Sequence, residues 1–244
     1  MYRYFLFIIF LPFPLFAFKN LEKTSLQLSW FNQFQFAGYY IAKEKGFYED
    51  AGLNVEIKDY NFNVNVTKDV SEGKVDFGVA RETLIQEKIN TFHNLIALYP
   101  LFQISPLILI AKKDSNINTL KDFSNKRIML SENDSSQASL KAMLSSNNIN
   151  DNSIRILKHS HNLADLINDK TDIMSAYISK FPFNLEQKNI PFNIFAPKDY
   201  GFDLYSDFLF TSAELIKKNQ EKVIAFKKAS LKGWEYAYSH IDEA

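Results

Sequence analysis

Strand-like and helix-like segments alternate in two successive sets along this chain. That pattern predicts an α/β protein of two lobes, each a doubly wound, mostly parallel sheet. Two further observations carry the reading. The joints between the sets, near residues 101–107 and 191–197, hold no Gly/Ser-rich tether, so the crossings are expected as short strands. The length of 244 residues, with 46% hydrophobic and 23% charged positions, supplies enough apolar side chains for a sizeable core.

Residues 25–30, Ser-Leu-Gln-Leu-Ser-Trp, alternate polar and apolar as a half-buried strand does. Residues 37–45 read as a helix that stops at Gly46, and residues 53–57 as the next strand. A helix at 64–72, a buried strand at 75–79, a short helix from Glu82 and a strand at 95–101 complete the first set. After Ser105-Pro106 come strands at 107–111, 127–130, 154–157 and 173–177, alternating with helices at 136–146 and 162–168. A strand at 208–211 and helices at 213–219 and 220–240 return to the first lobe. The expected lobes are residues 20–103 plus 198–244, and residues 104–197.

Arg3 precedes an apolar run over residues 5–18 that gives way to Lys19, Asn20 and Glu22, the layout of a secretory signal over residues 1–18. The run falls short of the ~20 apolar residues of a spanning helix, and Pro12 and Pro14 disturb it. Export to the periplasm is expected. An uncleaved anchor is the alternative, because large Phe16 and Phe18 flank Ala17. The 28 basic and 28 acidic residues cancel without long blocks, which argues against nucleic acid or an anionic membrane as partner. No cysteine occurs, which excludes disulfides, thiolate nucleophiles and cysteine-ligated metals.

Four stretches carry a family resemblance. Leu28-Ser29-Trp30 followed by Gln35-Phe36-Ala37-Gly38-Tyr39-Tyr40, with Lys45-Gly46-Phe47-Tyr48 and Gly52-Leu53, is the most specific. Gly73-Lys74-Val75-Asp76-Phe77-Gly78, Phe102-Gln103-Ile104-Ser105-Pro106 and Pro197-Lys198-Asp199-Tyr200-Gly201 are the others. The chain thereby resembles the type 2 periplasmic binding proteins similar to thiamine-precursor binders and thiamine pyrimidine synthase. The resemblance implies two α/β lobes closing on a ligand in the cleft between them, beyond the carboxyl ends of the strands.

The residues that follow each predicted strand are therefore the candidates. Trp30, Phe34, Phe36 and Tyr39 offer a flat aromatic wall, interleaved with the amides of Asn32, Gln33 and Gln35, a chemistry suited to a heterocycle. The bland reading is that some of these aromatics pack the core. Arg81 and Glu82 open a helix after residues 75–79, where they could meet a ligand or serve as a salt-bridge partner and a dipole complement. Ser131, Asp134, Ser135 and Ser136 form the second lobe's equivalent loop, or a plain helix cap. Ser105 lies in the crossover; Tyr177 and Ser179 follow the strand at 173–177; Asp207 could recognise a ring amine or sit in a turn.

The resemblance implies capture of a pyrimidine-like ligand, with an ABC transporter permease as partner. The alternative is the ligand-binding sensor of a membrane histidine kinase or diguanylate cyclase, whose partner is its own signalling module. The chain stops at Ala244 directly after the 220–240 helix, which suits a piece of a longer protein. Catalysis is disfavoured. Thiamine pyrimidine synthase carries a cysteine-rich motif that this chain lacks, and no Gly-rich phosphate loop, nucleophile elbow or His-Glu-x-x-His motif occurs. No metal or cofactor is expected, and His159 and His161 read as part of a solvated turn.

Overall fold

The computed structural model describes residues 20–131, 138–150 and 152–244. The expected signal segment, Asp134, Ser135 and Ser136 lie outside the described residues. The first sheet has the order β2-β1-β3-β10-β4, formed by β1 (Glu22–Gln27), β2 (Leu53–Lys58), β3 (Phe77–Ala80), β4 (Leu95–Phe102) and β10 (Ser206–Ser212). The second has the order β7-β6-β8-β5-β9, formed by β5 (Leu107–Lys112), β6 (Arg127–Leu130), β7 (Arg155–Lys158), β8 (Ile173–Tyr177) and β9 (Phe192–Phe195).

Each sheet has one strand running against the other four. In the first it is β10, antiparallel to β3 and β4; in the second it is β5, antiparallel to β8 and β9. In both cases the reversed strand is the first to follow a crossing from the other lobe. These two strands are buried almost end to end, which is why Leu-Ile-Leu-Ile-Ala and Phe-Leu-Phe read as continuous apolar runs. Their alternate residues feed different cores. Leu107, Leu109 and Ala111 pack on one face of the second sheet and Ile108 and Ile110 on the other, so helices cover both faces.

The helices are α1 (Ala37–Glu44), α2 (Phe47–Asp50), α3 (Val66–Ser71), α4 (Thr83–Asn90), α5 (Ala138–Ser146), α6 (Ala164–Ile167), α7 (Phe181–Gln187), α8 (Ala213–Lys218) and α9 (Gln220–Ser239). The longest, α9, starts at Asn219, whose side chain accepts from the Lys222 N–H at 3.0 Å. Its Val223, Phe226, Ser230, Gly233, Trp234 and Ala237 recur at helical spacing and are buried, with Phe226 stacked 4.0 Å from Phe77.

Three elements escaped the sequence reading: the short helix α2 directly after Gly46, helix α7 and strand β9. Helix α7 begins Phe-Pro-Phe, and its proline is tolerated because it falls in the first turn, where no intrahelical N–H is required; β9 is a four-residue edge strand. Strand β1 also lies three residues earlier than expected, so Trp30 stands beyond its end rather than inside it.

Helices α1 and α9 meet through glycine. A Cβ on Gly233 would lie 2.0 Å from the Gly38 carbonyl oxygen, and one on Gly38 would lie 2.2 Å from the Trp234 ring. Replacing an interior helical glycine by alanine ordinarily gains ~1 kcal/mol of helix propensity. Overpacking costs ~1–3 kcal/mol, and more when the obstruction is backbone. The clash wins. Gly233→Ala is expected to lower stability by about 2 kcal/mol or more, read as a lower urea midpoint at unchanged slope.

Candidate functional site

The carboxyl ends of β1, β3, β7 and β8 converge between the lobes. Trp30 follows β1 and stacks on Tyr60, centroids 5.3 Å apart. Arg81, directly after β3, lays its guanidinium 5.7 Å from the Trp30 ring centre and 4.9 Å from that of Tyr177, the last residue of β8. A cation on the first lobe thus sits against aromatic rings of both lobes.

Glu82 follows, and only 2% of it is exposed. Its Oε1 accepts from the backbone N–H of Ser139 at 3.2 Å and from the Ser139 hydroxyl at 2.6 Å. Ser139 lies at the start of the described part of α5. A carboxylate of the first lobe is thus hydrogen-bonded to the backbone and side chain of a helix of the second. Burial nevertheless raises the Glu82 pKa above the usual carboxylate range, against the pull of the Ser139 hydrogen bonds and of Arg81. Its Oε2 is buried with no hydrogen-bond partner among the described residues.

Behind Tyr177, where the chain crosses between lobes, lies a cavity of about 430 Å³. Gln35, Ser105, Tyr177, Phe102, Lys198 and Trp234 are among its walls. The Gln35 amide oxygen accepts from the Gln33 side chain, and its amide nitrogen is buried with no partner among the described residues. Asp207 is fully buried at φ +50°, a left-handed conformation that costs a non-glycine residue free energy. Neither of its oxygens has a hydrogen-bond partner among the described residues. Burial pushes its carboxyl up to about 7, against the opposing pull of Arg81.

Three further candidates, Phe36, Tyr39 and Asn32, lie apart. Phe36 and Tyr39 are wholly buried in the first core, where Tyr39 meets Trp234 edge to face at 5.8 Å. Asn32 is exposed and ties its loop to Asp59 at 3.2 Å and to the Tyr40 hydroxyl at 2.7 Å. Phe34 and Ser179 also line the cavity. Three residues that the sequence reading left aside belong to the region: Tyr60, Trp234 and His161, the last 5.4 Å from Trp30. His161 follows β7, the one strand of the second set whose carboxyl end was read as solvated turn, so its position was the available signal. Among the described residues no group of three or more His, Asp or Glu could hold a metal ion, and no helix is long and apolar enough to cross a membrane.

Residues 33–244 match the protein family described as NMT1/THI5 like. The riboflavin-binding protein RibY of Chloroflexus aurantiacus is 26% identical over 234 residues, an alignment covering 92% of this chain and 65% of RibY. This chain thus spans less than two thirds of RibY's length. A protein of Haemophilus influenzae named for thiamine biosynthesis is 25% identical over 247 residues, covering 99% of this chain and 77% of its own. Among solved structures, the periplasmic sulfonate-binding protein SsuA of Methylobacillus flagellatus superposes with a TM-score of 0.69 at 18% identity, covering 89% of this chain and 69% of that one. The aliphatic sulphonate binding protein of Escherichia coli gives 0.67 at 12% identity, covering 91% and 71%. At such identities the likeness establishes the fold, that of the periplasmic binding proteins.

The isolation of Asp207 has a measurable effect. Its folded-state pKa stands above its ordinary value of 3.8, so the folded chain binds more protons than the unfolded one between the two values. The associated stability is complete below about pH 4 and is lost as pH rises through about 7, an effect on the order of a few kcal/mol. Asp207→Asn removes the titration, and asparagine tolerates the left-handed backbone. Its stability relative to wild type should rise from pH 4 to 7 in urea titrations; a constant difference would show that Asp207 titrates normally.

Proposed function

The chain belongs to the NMT1/THI5-like family, and on that premise we propose that it is an extracytoplasmic solute-binding protein that closes on a flat heteroaromatic ligand and delivers it to an ABC transporter permease. The observation that carries this reading is the meeting of Trp30 and Arg81 from one lobe with Tyr177 from the other, beside a cavity with mainly apolar walls. We take the lobes as residues 20–103 plus 198–244, and 104–197. Closure about the two crossings brings these groups together, as hinged receptors do.

Ring stacking supplies affinity, and the buried polar atoms supply direction. Among the described residues Asp207 and one Glu82 oxygen are acceptors with no donor, and the Gln35 amide nitrogen is a donor with no acceptor. A ring with exocyclic amino groups and ring nitrogens answers both. The names of the two relatives, one for riboflavin and one for thiamine biosynthesis, point to heterocycles of that chemistry. Trp30, Gln35, Arg81, Glu82, Ser105, Tyr177 and Asp207 are the proposed contacts within the described residues, with Ser135 and Ser136 as candidates beyond them.

Titration calorimetry with riboflavin and with 4-amino-5-hydroxymethyl-2-methylpyrimidine tests the ligand class. Aromatic stacking contributes ~0.5–1.5 kcal/mol beyond area burial, and tenfold in affinity is ~1.4 kcal/mol. Trp30→Ala should therefore weaken binding at least tenfold while the circular dichroism spectrum stays the same. Failure of both compounds to bind the wild type would remove the heteroaromatic ligand, and recovery of the protein in the cytosol would remove the transport role.

A further inference from the structure

Five aromatic rings form a column across the junction of the lobes. On the second lobe Phe181 stacks on His159 (6.3 Å, 26°) and His159 on His161 (4.6 Å, 25°). On the first lobe Trp30 stacks on Tyr60 (5.3 Å, 28°). The step between lobes, His161 to Trp30, is different: 5.4 Å at a tilt of 56°. Every step within a lobe is near-parallel, and the step across the junction is not.

The second-lobe half of the column is held rigidly. His159 is buried, and its Nδ1 accepts the His161 backbone N–H at 2.8 Å. The ring proton is thereby assigned to Nε2, which donates to the Ser175 carbonyl on β8 at 2.8 Å. His161 takes the left-handed conformation, φ +56°, and the residue is exposed. A residue held at positive φ by a hydrogen bond to a fixed neighbour presents its ring at little further entropic cost.

We propose that His161, mounted on His159, is the second-lobe stacking face of the ligand site, so that a flat heteroaromatic ring inserts between His161 and Trp30 and is sandwiched by one ring from each lobe. This inference rests on the heteroaromatic reading above. Two contacts at about 3.5 Å require roughly 7 Å between the outer rings. At 5.4 Å the two rings leave no room for a third, so the lobes open to admit the ligand and close again on it at the wider spacing, with the tilted step now parallel. Insertion completes the stack at its single misaligned step. The same geometry disfavours an aliphatic sulfonate, which has no flat face to offer. It also disfavours a metal role for the histidine pair, because both nitrogens of His159 are committed to protein partners.

The full chain is tested as wild type, His161→Phe, His161→Ala and His161→Gly, with riboflavin followed by its fluorescence and the aminopyrimidine by calorimetry. Glycine suits the positive φ, so His161→Gly removes the ring without adding backbone strain; thermal melts establish that each variant is folded. His161→Phe is expected to bind within about threefold of wild type and both ringless variants about tenfold or more weakly, the scale of one lost stacking face plus its buried area. Unchanged or tighter binding by His161→Gly, with wild-type binding intact, overturns the inference and leaves the heteroaromatic reading standing. If neither compound binds the wild type, that reading falls and this inference falls with it.

Discussion

The close crossing of α1 and α9 is the constraint on which the rest of the structure depends. Gly38 and Gly233 let two backbones approach until no Cβ fits between them, and that contact joins segments from opposite ends of the chain. On one side it fixes α1, and with it the turn that carries Gln35 to the cavity. On the other it fixes Trp234, which packs against Gly38 and Tyr39 and forms part of the same cavity wall. The floor of the cleft is thus built by a helix that follows every strand of the fold.

Upon that frame the cleft carries polar groups that a stability-optimised interior would not. Among the described residues Asp207 has no hydrogen-bond donor and Glu82 has one oxygen without a partner, and each such buried carboxylate costs desolvation free energy. Interiors made only for stability pair such groups or replace them. Both carboxylates feel the charge of Arg81, and neither belongs to the four apolar clusters that hold each sheet to its helices.

Much of the architecture was legible because binary patterning is strong where a strand is buried on both faces. The runs at β5, β6 and β8 have the expected bounds within a residue. What periodicity does not encode is strand direction, so the two reversed strands were visible as strands but not as antiparallel. The candidate site was legible in part. Position after a strand singled out Trp30, Arg81, Glu82 and Tyr177, which the fold brings together, whereas Phe36 and Tyr39 share the local composition but turn into the core. His161 was missed because its neighbours, Lys158, Ser160 and Asn162, are hydrophilic, and a polar context says nothing about which ring stands across a junction from another lobe. Trp234 was missed because its approach to the cavity depends on a tertiary crossing.

The placement of β10 between β3 and β4 also sets an order of assembly. Strand β4 has no neighbour in its sheet until β10 arrives, and the entire second lobe separates the two in sequence. The second sheet is made from one uninterrupted stretch, β5 to β9, and can condense as soon as that stretch is free. Pairings between distant segments form slowly because loop-closure entropy is lost before any contact compensates it. A compact second lobe shortens the effective loop between β4 and β10, so the middle of the chain acts as a scaffold across which the two ends complete the first sheet.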